Sequence, residues 1–166
     1  MTRLKKRVAT GTPKASRPNI PDYGISKSKK GMLPWKWASD RAAKSHQYWV
    51  ATVRPDGSPH VMPVWGVWLQ NAFYFSTGRK TRKARNLASN PRCVICSENS
   101  REAVIVEGTA SELGDAKKLA GVAKVYKKKY KVDVSAMDSP IYCVQPGVVF
   151  GLFEKRFPTT ATRWKF

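Results

Sequence analysis

A small closed β-barrel with helices at its periphery is the fold class this sequence predicts. Three observations carry that expectation. Runs of β-branched and aromatic residues recur at short spacing, separated by turn signals such as Arg54-Pro55-Asp56-Gly57 and Gln70-Asn71-Ala72. Two stretches with helical patterning interrupt the strands, one short and basic and the other long with an apolar stripe. The 166 residues, 42% of them hydrophobic, suffice for one domain with a real core.

The elements follow in order. Residues 1–32 are rich in Lys, Arg, Ser, Pro and Gly and poor in apolar side chains, so they read as a basic, largely extended or disordered segment. The runs Lys5-Lys6-Arg7 and Lys27 to Lys30 belong to it, with Tyr23 and Ile25 as its candidate anchors. The folded domain spans residues 33–166. Pro34 suits the first turn of a helix reaching about His46. Gln47–Val53 reads as a strand, and Arg54–Gly57 turns it into a second, Ser58–Leu69. Pro63 lacks the N–H of a sheet ladder, so this second strand should be edged, bulged or bent there. Phe73–Ser76 is a third strand, and Arg92–Ser97 and Ala103–Leu113 pair across a polar turn. Asp115–Lys131 is a helix whose Leu119, Val122, Tyr126 and Tyr130 share an apolar face, opposite a lysine-rich one. Ile141–Gln145, Val148–Phe153 and Thr162–Phe166 are the last strands, the first two parted by Pro146-Gly147.

Phe73–Pro91, FYFSTGRKTRKARNLASNP, is the stretch around which the rest is organised. A strand passes through a Ser-Thr-Gly turn into a short basic helix, with Thr81 as its cap and Asn90-Pro91 as its stop. Backbone amides, the hydroxyls of Ser76 and Thr77, and the cations Arg79, Lys80, Arg82, Lys83 and Arg85 gather where the helix dipole is positive, which suits a phosphate. The competing reading is a solvated basic helix.

The formal net charge of +20 attracts anions and promotes non-specific contact with nucleic acid. Cys93, Cys96 and Cys143 make a poor disulfide framework; the Cys93/Cys96 pair would face opposite sides of a strand, and reduced, cytoplasmic thiols are expected. No metal site is expected from these cysteines and the two histidines, His46 and His60. No stretch approaches the ~18 apolar residues of a membrane span. The basic N-terminus has no apolar core of a signal peptide.

The ordered set YWVATVRPDGSPHVMPVWGVW, FYFSTGRKTRKARNLASNP and AVIVEGTA resembles the pyridoxamine 5′-phosphate oxidase-like, flavin-binding split-barrel family, and within it the branch that uses the deazaflavin coenzyme F420. The resemblance runs from about Leu33 to Phe166. It implies a split β-barrel homodimer with two cofactor sites at the subunit interface. It implies that Met62, Pro63, Val64 and Trp65 lie along the cofactor ring, and that Ser76, Thr77, Lys80, Arg82 and Lys83 hold the cofactor phosphate. Arg163-Trp164 resembles the segment that reaches the partner's cofactor; the same residues also read as an ordinary barrel strand with a core Trp. The chain lacks the C-terminal substrate-phosphate signature of the pyridoxamine phosphate oxidases proper, so vitamin B6 oxidation is not implied.

The activity implied is hydride transfer from reduced coenzyme F420 to an unsaturated small molecule, with FMN-dependent oxidoreduction as the alternative. No residue commits itself as catalytic proton donor. A reading of another class is a nucleic-acid or anion-binding module on an inactive barrel, for which the cations interleaved with Trp35, Trp37, Tyr126 and Tyr130 speak.

Overall fold

A computed structural model describes residues 11–166, so the Lys5-Lys6-Arg7 run lies outside the described residues. The elements are β1 (Lys14–Ser16), α1 (Trp35–Lys44), β2 (Tyr48–Val53), β3 (Pro59–Val64), β4 (Gly66–Leu69), β5 (Ala72–Ser76), α2 (Arg82–Ser89), β6 (Arg92–Ser97), β7 (Glu102–Glu112), α3 (Ala116–Tyr130), β8 (Ile141–Phe153), α4 (Phe157–Thr160) and β9 (Thr162–Lys165). All strand pairs are antiparallel.

The sheet runs β3-β2-β6-β7-β8, then forks. The first half of β8 pairs with β5, which pairs with β4; its second half pairs with β9, which pairs with β1. The expected barrel is therefore not closed by hydrogen bonds. Its free ends, β3 and β4, are neighbours in the chain and are joined only through Trp65. This is the split barrel.

The single strand expected over Ser58–Leu69 is two strands, and the division falls after Pro63 rather than at it. Pro63 sits in register opposite Trp49 on the edge strand β3, where a missing N–H costs no ladder bond on the open side. Trp65 then leaves the ladder, and Gly66 restarts it against β5. Gly66 is required there. A Cβ would lie 2.2 Å from Phe73 Cζ and 2.9 Å from the Tyr74 carbonyl oxygen. Phe73 is fully buried and cannot yield. Gly66→Ala is expected to destabilise the fold by about 1–3 kcal/mol through overpacking, read as a lowered midpoint in urea.

Conversely, Ile141–Gln145 and Val148–Phe153 are one strand. Pro146-Gly147 forms a bulge rather than a turn, because the register against β7 shifts between Glu107 and Gly108. Gly108 accommodates it, since a Cβ there would meet the Gln145 carbonyl oxygen at 2.5 Å.

One apolar core fills the barrel, around Tyr48, Val50, Phe73, Phe75, Ile95, Val144 and Trp164. A second lies between β4, β5 and β8 and the apolar stripe of α3, Val122, Tyr126 and Tyr130. Residues 11–32 do not stand apart as a solvated tail. β1 pairs with β9, and the Arg17 guanidinium donates to the carbonyls of Ser28, Lys30, Thr159 and Ala161 at 2.6–3.0 Å. Four backbone acceptors thus replace the missing apolar anchorage. Tyr23 packs edge-on against Phe157.

Candidate functional site

The seam between β3 and β4 leaves peptide groups that no strand satisfies, and α3 supplies their partners. Tyr126 Oη donates to the Trp65 carbonyl at 2.7 Å. Lys129 Nζ donates to the Gly66 carbonyl at 2.9 Å and to Tyr48 Oη at 2.8 Å. The Gly66 N–H donates to Tyr130 Oη at 2.9 Å, and that hydroxyl lies 2.7 Å from the carbonyls of both His46 and Gly66. A hydroxyl has one proton. With Lys129 already on Gly66, the Tyr130 proton is best used on His46. Burial pushes the Lys129 ammonium down to about 8 and the Tyr126 and Tyr130 phenols up, so both phenols stay neutral at physiological pH. The Trp65 ring stacks on Tyr130 at 5.0 Å, yet remains 47% exposed.

That exposed indole forms one wall of a cavity of about 270 Å³. Pro63, Val64 and Trp65 come from the end of β3, Ser76, Thr77 and Gly78 from the β5–α2 turn, and Lys83 from α2. Tyr126, Val132, Val134, Met137 and Ser139 complete it. Pro63, Val64 and Trp65, expected around the cofactor ring, and Ser76, Thr77 and Lys83, expected around its phosphate, thus share one hollow, which Met62, Lys80 and Arg82 do not line. The meeting follows from register: Ser76 pairs with Ile141, which brings the loop before β8 over the same turn. Ser76 Oγ donates to the Pro140 carbonyl at 3.3 Å, and Thr77 Oγ1 lies 3.1 Å from Thr81 Oγ1. Thr81 caps α2 by accepting from the Ala84 N–H at 3.3 Å.

The cations divide. Lys83 lines the cavity, half-buried, and desolvation lowers its pKa. Lys80 and Arg82 are exposed around the helix start and do not line the cavity. Arg79 is engaged by Glu112. Met62 is 44% exposed on the edge strand beside the hollow.

Arg163 and Trp164 are placed differently. Trp164 is 1% exposed and packs between β1 and β8, with its ring where a Gly151 Cβ would be and edge-on to Trp35 at 5.4 Å. It has no surface to offer a partner's cofactor; the core-Trp reading describes it. Arg163 is half-buried in the same strand.

The sequence alone did not single out Val132, Val134, Met137 and Ser139, because their loop carries no periodic or chemical signal. Tyr126 was visible as a member of an apolar stripe and as an aromatic among cations; the partner of its hydroxyl was not.

Among families of known proteins, residues 38–148 match the one described as pyridoxamine 5′-phosphate oxidase. No curated protein matches the chain. Solved structures share its fold. An F420 reductase is 24% identical, with a TM-score of 0.55 over 67% of this chain and 94% of that one. An FAD-binding protein from Mesorhizobium loti is 17% identical, with a TM-score of 0.59 over 81% of this chain and 96% of that one. A heme-binding protein from Mycobacterium smegmatis is 18% identical, with a TM-score of 0.60 over 73% of this chain and 55% of that one. Among the described residues no helix is long and apolar enough to cross a membrane.

Proposed function

The chain belongs to the pyridoxamine 5′-phosphate oxidase family, and from that premise we propose that it is a flavin- or deazaflavin-dependent oxidoreductase, transferring hydride from reduced coenzyme F420 to an unsaturated small molecule. One observation carries the reading. The cavity is lined both by the apolar and aromatic side chains of Pro63, Val64, Trp65, Val134 and Met137 and by the polar ones of Ser76, Thr77 and Lys83. A planar ring with a phosphorylated tail has that same division of character. The donor set fits: Lys83 holds the phosphate, with Lys80 and Arg82 adding charge from the surface. Among the described residues β3 pairs only with β2, so its outer edge would offer peptide groups to the ring's polar rim.

A bound deazaflavin supplies a hydride; FMN, the alternative cofactor, adds single-electron and oxygen chemistry. The protein's part is binding and orientation. Among the described residues no carboxylate, imidazole or thiol lines the cavity, and the Tyr126 proton is committed to Trp65. Water is therefore the proton source for the reduced product.

The proposal includes a two-fold homodimer. Trp49, Val53 and Val61 are exposed on one sheet face, with Pro59 and Pro63 in register beside them. An apolar face of this kind on an edge is suited to a second copy. Light scattering of the cofactor-bound protein is expected to return twice the chain mass. Titration of the apo protein with F420 and, separately, FMN tests the cofactor. Saturable quenching with either supports the reading, and turnover of reduced F420 with a conjugated carbonyl selects the leading one. Absence of saturable binding by both would overturn it.

A further inference from the structure

A chain of polar side chains leads from inside the domain to the cations of the helix start, and it ends on His60. Asn86 is fully buried in α2, and its Nδ2 donates to Thr52 Oγ1 on β2 at 3.0 Å. Thr52 is 2% exposed, and its Oγ1 lies 3.4 Å from both Nδ1 and the carbonyl of His60, its register partner on β3. Arg82 and Lys83 lie one helical turn before Asn86, by four and three residues, with Lys83 half-buried and Arg82 exposed.

Thr52 can hold the imidazole in either protonation state. When the ring is neutral, the threonine hydroxyl donates to Nδ1. When it is charged, Nδ1–H donates to Thr52 Oγ1 and the threonine proton turns to the His60 carbonyl. In both states Nε2–H faces away from Thr52 as a free donor.

We infer that His60 is an anion-binding residue whose Nε2–H joins Lys83 on a phosphate, within the field of Arg82, and that its ring takes up a proton when the phosphate binds. The inference rests on the cofactor reading only for the phosphate's source. The groups acting on His60 are Arg54 from the end of β2 and Lys83 and Arg82 from α2, all cationic; burial comes first and these charges next in holding its pKa below the ordinary value. Asp56, the nearest carboxylate in the chain, is engaged by Ser58. Nothing on these elements stabilises the imidazolium until an anion arrives. A bound dianion reverses the field and draws the proton in.

The sign follows. The free ring titrates below the usual histidine range, and the complex titrates higher. Between the two midpoints, binding takes up a proton on His60. Phosphate monoesters lose charge near pH ~6 themselves, so proton uptake, rather than affinity alone, is the diagnostic.

NMR titration of the two histidines tests it, with His46 as the internal reference. Inorganic phosphate or FMN is expected to raise the His60 midpoint by about one pH unit, the equivalent of a tenfold coupling, and to leave His46 in place. Calorimetry at neutral pH in buffers of different ionisation enthalpy should register proton uptake with FMN that His60→Gln abolishes. The variant should lose a few-fold in FMN affinity near pH 6, approach a tenfold loss only below the midpoint of the free ring, and lose little above pH 8. If phosphate moves His60 while neither FMN nor F420 binds, the site stands and the cofactor reading falls. FMN binding with an unmoved His60 titration overturns the inference and spares the cofactor reading. If His60→Gln keeps the wild-type proton uptake, the residue is structural only and the inference is overturned.

Discussion

Tyr130→Phe is expected to lower the free energy of unfolding by about 1–3 kcal/mol, the cost of leaving the buried Gly66 N–H without a partner. The variant keeps the ring, its stacking on Trp65 and its place in the second core. It removes only the oxygen that accepts from the Gly66 N–H and donates to the His46 carbonyl. Water cannot restore both, since Gly66 and Tyr130 are buried. Urea denaturation at neutral pH measures the loss. Tyr126→Phe, which frees only the Trp65 carbonyl, should cost about 1 kcal/mol. The double variant should depart from additivity, because both phenols hold the same seam. A Tyr130→Phe protein within ~0.5 kcal/mol of wild type, the usual range of surface changes, would show that the seam does not depend on this hydroxyl.

Lys83→Met is expected to weaken cofactor binding by roughly ten- to a hundredfold. Methionine retains the apolar stem while removing the ammonium. The charge-assisted bond lost is worth about 1.5–3 kcal/mol, and each 1.4 kcal/mol is tenfold. The effect should exceed that of Lys80→Ala or Arg82→Ala, because those side chains are exposed and act through a screened field with a Debye length of about 8 Å at physiological ionic strength. Fluorescence titration with FMN and with riboflavin separates the causes. Riboflavin has no phosphate, so its affinity should be the same in wild type and variant. Equal losses for both ligands would place Lys83 against the ring instead. Lys83 carries a desolvation penalty in the free protein, so its removal should leave stability unchanged or slightly raised.

The sequence made the strands, their turns and the helix start legible because each rests on a local rule. Thr81 caps and Asn90-Pro91 stops α2 where side-chain chemistry says they should. The helical stripe Val122, Tyr126, Tyr130 is buried as its spacing requires. Local rules failed where long-range register decides. Pro146-Gly147 looks like a turn, but β7 offers a partner with a glycine at the facing position, and the strand continues through a bulge. Pro63 looks like the interruption, but an edge position tolerates it, and the real break comes where Phe73 occupies the space beside Gly66. The junction around Ser76, Thr77 and Lys83 was readable because strand, turn and cations are contiguous in the chain. The opposite wall, Val134 to Ser139, is brought there only by the pairing of β5 with β8. The fate of Trp164 depended on the missing side chain of Gly151, thirteen residues away and invisible to any pattern.

The seam also sets how this sheet comes apart in time. Elsewhere a peptide N–H is released when its neighbouring strand peels away. The Gly66 N–H is held by a side chain that projects from α3, so its release waits for the helix to undock. Tyr126, Lys129 and Tyr130 all leave with that helix, and the peptide groups at Trp65, Gly66 and His46 lose their partners together. Opening at the seam is thus one cooperative event with α3 as its latch, Tyr130 lying 64 residues downstream of Gly66. In hydrogen exchange the Gly66 amide should keep the pace of α3 rather than that of the β4–β5 hairpin to which it formally belongs.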